Sequence, residues 1–209
     1  MTLRSILKKK SLGILVHPSS LPGGSYCGTF GEGAKDWIKI LSKHKINFWQ
    51  FLPLTPTDST GSPYSSPSSF ALNPWFLDIN ELIKKGFISS SNRHELQSIN
   101  QTENHFDFDL SNNLSKRIAE QLLIGWESQS LERKNDFYMW NKKNAWVEDY
   151  SIFMVIRDEF NMLPWWEWPL EFKQKKTEFI KAWKKGKNKE ILKTKLIQWH
   201  LDKQWKEIK

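Results

Sequence analysis

Leu12 to Leu52 reads LGILVHPSSLPGGSYCGTFGEGAKDWIKILSKHKINFWQFL. It opens with Leu12 to Val16, a continuous apolar run of the kind that forms a strand covered on both faces. The run stops at His17-Pro18, and the Gly- and Pro-punctuated loop SSLPGGSYCGTFG follows. From Glu32 to Ile46 the apolar positions Ala34, Trp37, Ile38 and Leu41 fall at i, i+3, i+4 and i+7, one face of a helix. Asn47 to Leu52, rich in rings, then reads as a second buried strand. Strand, helix and strand over this distance make a βαβ unit, whose right-handed crossover sets the two strands parallel. Ligand sites of such units gather at the carboxyl ends of the strands. The loops that follow the two strands therefore share one face, whatever the ligand is.

The second of these loops, PLTPTDSTGSPYSSPSSFALNP from Pro53 to Pro74, is dense in Pro, Ser, Thr and Gly and punctuated by rings: Tyr64 and Phe70, then Trp75 and Phe76. A flexible linker shares the small residues but seldom the rings. The segment reads as an ordered functional loop on a strand end. Rings combined with hydroxyls suit a ligand with flat apolar faces and many hydroxyl groups, and sugars are such ligands. Tyr64 is the first candidate contact, able to stack on a pyranose face while its hydroxyl bonds a sugar oxygen; pinning the loop to the core is its alternative role. Ser62 follows, with turn chemistry as its alternative. Asn73 is a third candidate, placed either to touch ligand or to orient the loop. His17 is catalytic by position or simply a hydrogen-bonded structural residue.

Glycoside cleavage needs two carboxylates held roughly 5 to 10 Å apart. The acidic residues nearest the loop are Asp58, among turn formers, and Asp78, placed as a helix N-cap. Neither is persuasive. No nucleophile triad, phosphate-binding glycine loop or Cys/His cluster is present. The residues describe part of a sugar site without its cleavage machinery.

Beyond Pro74 the pattern is helical. Asp78 to Gly86 reads as a short helix closed by glycine. The polar stretch from Ser89 to Leu110 reads as a surface connection with a helical turn or two. Leu114 to Trp126 and Trp146 to Phe160 carry apolar stripes. PWWEWP, Pro164 to Pro169, brackets three Trp that read as a packing plug, with a sugar platform as the alternative. Two Lys-rich helices follow, Leu170 to Lys185 and Asn188 to Lys209. Two parallel strands alone make no stable sheet, and the last helix runs to Lys209 without a stop signal. The expectation is the N-terminal part of a longer α/β protein.

Composition narrows the alternatives. Lys plus Arg total 31 against 23 Asp plus Glu, a net charge of +8. This invites a nucleic-acid reading, but the lysines scatter over helical segments with no nucleic-acid motif, and no nucleic-acid partner is expected. Twelve Trp suit a packed core or carbohydrate platforms. Cys27 is the single cysteine, which excludes an internal disulfide and fits a reducing compartment; metal coordination finds no support in the isolated histidines. The apolar run near the start is too short for a leader, and nothing later approaches a membrane span. The expected location is cytoplasmic.

SLGILVHPSSLPGG, FWQFLPLTPT, GSPYSSPSSFALNP, DYSIFMVIRDEF and PWWEWP, in this order from Ser11 onward, resemble the N-terminal portion of the amylomaltases, the 4-alpha-glucanotransferases of glycoside hydrolase family 77. The resemblance implies an α/β fold: the first βαβ unit of a (β/α)8 TIM barrel, incomplete in this chain, plus a mainly helical insertion. Residues 1–80 would start the catalytic barrel, 81–169 form the helical insertion, and 170–209 lead back to further barrel strands. It implies transfer of α-1,4-glucan segments between maltooligosaccharides through a covalent glycosyl-enzyme intermediate, without a cofactor. An Asp nucleophile, a Glu acid/base and a stabilising Asp would lie on later strands, so no catalytic residue is assigned in this chain. Ser62 and Tyr64, in the SPY motif, match positions lining the donor-sugar pocket, the Tyr ring stacking on a sugar. Where members often read Gly-Tyr-Gly-Asp, this chain has Asp58-Ser59-Thr60-Gly61, and Phe108 stands where a Tyr is common; the first departure falls on a secondary glucan-binding patch. A non-catalytic glucan-binding module is the alternative function.

Overall fold

A computed structural model describes residues 10–24, 27–58, 60–97 and 108–209. β1 (Gly13–Leu15) and β2 (Phe48–Gln50) lie side by side and parallel, with Gly13 opposite Phe48, Ile14 opposite Trp49 and Leu15 opposite Gln50. The ladder continues past both ends: the Val16 N–H donates to the Gln50 carbonyl at 3.0 Å, and the Leu12 carbonyl accepts from the N–H groups of Asn47 and Phe48. Between the strands runs α1 (Glu32–Lys43), whose buried Ala34 and Leu41 lie on the face set by the sequence spacing. The βαβ unit is therefore present, with strands shorter than the apolar runs.

The strands are not covered on both faces. Leu12 and Leu15 are 60% and 55% exposed, and Phe48 is also open to solvent, while Ile14 and Trp49 are only half-buried. A buried strand reads as a continuous apolar run because each face meets a covering layer. Here, among the described residues, only one face meets the core.

The chain then passes through a 3-10 turn, Pro74–Phe76, into α2 (Ile79–Lys84) and the short α3 (Arg93–Gln97). Asp78 caps α2 as its position suggests: Oδ1 accepts from the Glu81 N–H at 2.8 Å, and Oδ2 accepts from the Thr29 hydroxyl at 2.9 Å. The long helices are α4 (Phe108–Glu127), α5 (Leu131–Lys143) and α6 (Trp146–Glu159). α4 begins earlier than its apolar stripe indicates. α5 escapes the sequence pattern because it buries only Phe137 and Trp140 and leaves Tyr138 and Met139 exposed.

Leu170 to Lys185, expected as one helix, is two: α7 (Leu170–Lys173) and α8 (Thr177–Gly186), separated where Lys175 takes φ of 48°. α9 (Asn188–Ile208) closes the fold and is its central support. Its Leu196, Trp199 and Leu201 are buried in one core with Leu114, Ile118 and Leu122 of α4, Phe137 of α5 and Val147 of α6. Trp199 meets Phe87, Trp126 and Phe137 edge-on, with centroids 5.5 to 6.1 Å apart, a favoured ring geometry. At its C-terminal end, Trp205 packs on Phe30 and Phe51, so the same helix also supports the strands.

The PWWEWP segment divides. Trp168 is the plug: buried, packed on Phe153 and Phe160, its indole N–H donating to the Leu163 carbonyl at 2.9 Å. Trp165 and Trp166 stand in solvent. Three rings bracketed by prolines cannot all turn inward on one 3-10 turn. Part of the lysine excess is neutralised by neighbours: Lys184 and Lys195 both reach Glu148, Lys193 reaches Glu120, and Lys203 reaches Asp136. No described helix is long and apolar enough to cross a membrane.

Candidate functional site

The loop from Pro53 to Pro74 rises from the carboxyl end of β2. Its base is closed by backbone: the Asn73 N–H donates to the Leu54 carbonyl at 2.8 Å. Its interior is held by small polar groups, the role for which Ser, Thr and Asp side chains suit turns. The Asp58 N–H donates to the Ser65 carbonyl, and the Ser65 N–H to the Ser62 carbonyl, at 3.0 and 3.1 Å. Ser62 Oγ accepts from the Tyr64 N–H at 3.3 Å. Ser68 Oγ accepts from the N–H groups of Phe70 and Ala71 at 3.2 and 3.1 Å. The carboxyl of Asp58 is held below its ordinary range chiefly by the hydroxyl and N–H of Thr60. It is a turn former.

Gly61 is required where it stands. Its φ is +70°, and a Cβ there would lie 2.1 Å from the ring of Phe108. Phe108 thus sits directly beneath the turn, where it also meets the ring of Trp75 at 5.6 Å. Ser59 lies outside the described residues.

This scaffold leaves two rings in solvent, Tyr64 at 75% exposure and Phe70 at 72%. Tyr64 does not pin the loop to the core. Ser62, half-buried, lies on the same turn and is engaged with the Tyr64 backbone. Asn73 sits elsewhere: it is buried, and its Oδ1 accepts from the Trp75 N–H at 3.1 Å as the cap of the 3-10 turn. Of the three candidates, the structure brings Ser62 and Tyr64 together on the loop tip and leaves Asn73 in the foundation. His17, at the end of β1, caps the turn Pro18–Ser20 by accepting from the Ser19 N–H, and its half-burial lowers its pKa. Among the described residues, no three His, Cys, Asp or Glu side chains gather as metal ligands.

Two residues with no motif to announce them fix the loop's far end. Gln198 on α9 accepts from the Leu72 N–H at 2.9 Å and donates to the Leu72 carbonyl at 2.8 Å. Gln204, farther along the same helix, repeats the pairing with Asp78 at 2.9 and 3.0 Å. Both amides are buried. A buried amide satisfied at both ends by one backbone residue is strongly placed, so α9 holds the segment that descends from the loop tip. Glutamine on a Lys-rich helix reads as solvated, and only the long-range pairing reveals its role.

The family model described as 4-alpha-glucanotransferase, Glyco_hydro_77, matches residues 16–209. The 4-alpha-glucanotransferase of Thermus thermophilus is 30% identical over 202 residues, covering 96% of this chain and 39% of that protein. The one from Clostridium butyricum is 31% identical over 194 residues, covering 93% and 39%. Among solved structures, the amylomaltase from Streptococcus agalactiae in complex with acarbose superposes with a TM-score of 0.88 at 26% identity, over 96% of this chain and 40% of that one. This chain therefore spans about two fifths of the length of these relatives. Family model, relatives and fold agree over the same residues, including the loop that bears Tyr64: the chain belongs to the 4-alpha-glucanotransferases of glycoside hydrolase family 77.

Proposed function

We propose that this chain supplies one wall of the sugar site of a 4-alpha-glucanotransferase, an enzyme that moves a segment of one α-1,4-glucan onto another. The observation that carries the reading is Tyr64, a ring 75% exposed at the tip of a loop whose hydroxyls fix its own backbone. An exposed aromatic ring on a hydrogen-bonded loop offers a face on which a pyranose ring stacks well. Ser62 lies on the same turn and lines the same pocket. Asn73, buried beneath, sets the direction in which the loop leaves the core.

The two exposed strands support a second part of the proposal: β1 and β2 are the opening pair of a (β/α)8 barrel whose other strands come from the remaining three fifths of the family length. The carboxylates of a retaining mechanism, nucleophile and acid/base, would stand on those strands. Asp58 and Asp78, the acidic residues nearest the loop in the sequence, are both engaged in turn and cap bonds. The chain is then the platform that grips the donor sugar while groups elsewhere break its bond.

The test is a titration of maltotriose into the protein, followed by ligand-observed NMR. Saturable binding is expected, and Tyr64→Ala is expected to weaken it by about tenfold or more, equivalent to roughly 1.4 kcal/mol. Binding unchanged in Tyr64→Ala would sink the assignment of the wall. Glucan transfer by these 209 residues alone would sink the placement of the carboxylates outside them.

A further inference from the structure

Phe70 is the second large ring that the loop leaves in solvent. Its exposure is 72%, yet it is neither loose nor unsupported. Its N–H is tied to Ser68 Oγ at 3.2 Å, and the neighbouring Ala71 N–H to the same oxygen. Beyond Ala71, Leu72 is clasped at both ends by Gln198. The ring lies nearly parallel to that of Trp146, with centroids 6.1 Å apart and planes 25° apart. Trp146, half-buried at the start of α6, is braced in turn by Tyr150, buried in the same helix, at 6.0 Å. One face of Phe70 is thus backed by an aromatic stack that reaches into the core, and the rest of the ring is open. A ring fixed in this way gives up little conformational freedom on binding.

Tyr64 and Phe70 stand on the same loop, separated by Ser65, Ser66, Pro67, Ser68 and Ser69. A linear α-1,4-glucan presents successive sugar rings, each with an apolar face. A single exposed ring engages one of them; a second exposed ring on the same loop offers a stacking face for another. We infer that Phe70, backed by Trp146, is a second sugar-stacking residue that extends the site from one sugar to several and makes affinity depend on glucan length. The inference rests on the reading of Tyr64 as the wall of the sugar site, and it adds a specificity-determining position to it.

The experiment measures dissociation constants for maltose through maltoheptaose by calorimetric titration, with the indole N–H resonance of Trp146 followed by NMR as a local readout. In the unaltered protein, affinity is expected to rise with chain length, and the Trp146 resonance to move only with the longer glucans. In Phe70→Ala, the shortest glucan that binds should keep its affinity, while the gain with length falls by about three- to tenfold, the range of one aromatic contact. Phe70→Tyr should retain the gain, which separates loss of the ring from loss of the fold, and circular dichroism melts verify that all variants are folded. An unchanged length profile in folded Phe70→Ala would overturn the inference and leave Tyr64 untouched, making Phe70 a surface that another part of the protein covers. Binding weakened at all lengths in Tyr64→Ala together with a flattened length profile in Phe70→Ala would support both readings. No binding of any length by the unaltered protein would overturn both.

Discussion

At the scale of single residues, the loop that bears Tyr64 separates solvent-facing from load-carrying side chains, and the two kinds should fail in different ways. Tyr64→Ala removes an exposed ring, so stability should change by no more than about 0.5 kcal/mol while glucan binding weakens by about tenfold or more. Gln198→Leu removes both partners of the Leu72 backbone at once and leaves those groups unpaired against an apolar side chain. A cost of about 2 to 3 kcal/mol in denaturant unfolding is expected, from the desolvation of the abandoned groups. Because Leu72 follows Phe70 and Ala71 directly, glucan binding should also weaken although no sugar contact is removed. A Gln198→Leu variant equal to the parent in both measurements would show that α9 does not hold the loop. Asn73→Ala should cost about 1 kcal/mol, the usual value of a lost cap, with a smaller effect on binding. The loop and its place at a strand end were legible beforehand, but its residues left open whether Tyr64 faces outward or pins the loop to the core. The support was not: Gln198 pairs with a residue 126 positions away, and no local pattern encodes such a contact. Phe70 read only as one more ring in the loop, because its value lies in Trp146 behind it.

At the scale of elements, helices with a regular apolar period, such as α1 and α6, declare themselves in the sequence. α5 shows its apolar side chains on both sides, and the break between α7 and α8 falls at lysines, without the Gly or Pro that would mark it. α9 is legible as a helix, but its central position is not, because it is buried all round from Leu196 to Leu201. That burial has a measurable consequence at His200. The imidazole lies against Phe87 and Trp199 with centroids 4.4 and 4.5 Å away. Burial, helped by the charges of Lys203, Lys85 and Arg133, pushes its pKa down to about 3 from 6.5. The folded protein therefore holds His200 neutral, while the unfolded chain takes up a proton as pH falls below 6.5. Stability from this group is fully present above that pH and is lost progressively toward about pH 3. Between about pH 7 and pH 5 the loss should be about 2 kcal/mol, following the roughly 1.36 kcal/mol that each pKa unit represents. Urea unfolding at the two pH values checks it. His200→Asn should flatten the slope over this window even if it lowers stability throughout; an equally steep slope would show that the acid sensitivity arises elsewhere, for example at half-buried His17.

At the scale of the whole molecule, the exposed strands decide how these residues behave when isolated. Leu12, Leu15 and Phe48 present apolar side chains to water from a two-stranded sheet, and a pair of strands leaves backbone donors and acceptors along its outer edges. Such an edge is a template for pairing with another chain, and an exposed apolar face adds to the attraction. The described helical part has no open strand edge, although single rings such as Trp165 and Trp166 stay in solvent: α4, α5, α6 and α9 enclose a continuous core around Trp199. Isolated residues 1–209 should therefore fold, and then self-associate through β1 and β2 as concentration rises. Sedimentation velocity across a roughly hundredfold concentration range measures this directly. A Leu12→Lys, Leu15→Lys double variant should remain monomeric to higher concentration, because paired edges would bring like charges together, the device natural sheets use on open edges. Its melting temperature should change little, since both side chains are already in solvent. The same pair of substitutions has the opposite consequence when the remaining three fifths of the family length is supplied as a second polypeptide taken from a relative. If those strands close a barrel on β1 and β2, the unaltered residues 1–209 should bind them and restore glucan transfer, while the double variant should do neither. Association that proceeds equally well with the double variant would mean that the partner polypeptide docks on another face, and the barrel reading of the strands would fall.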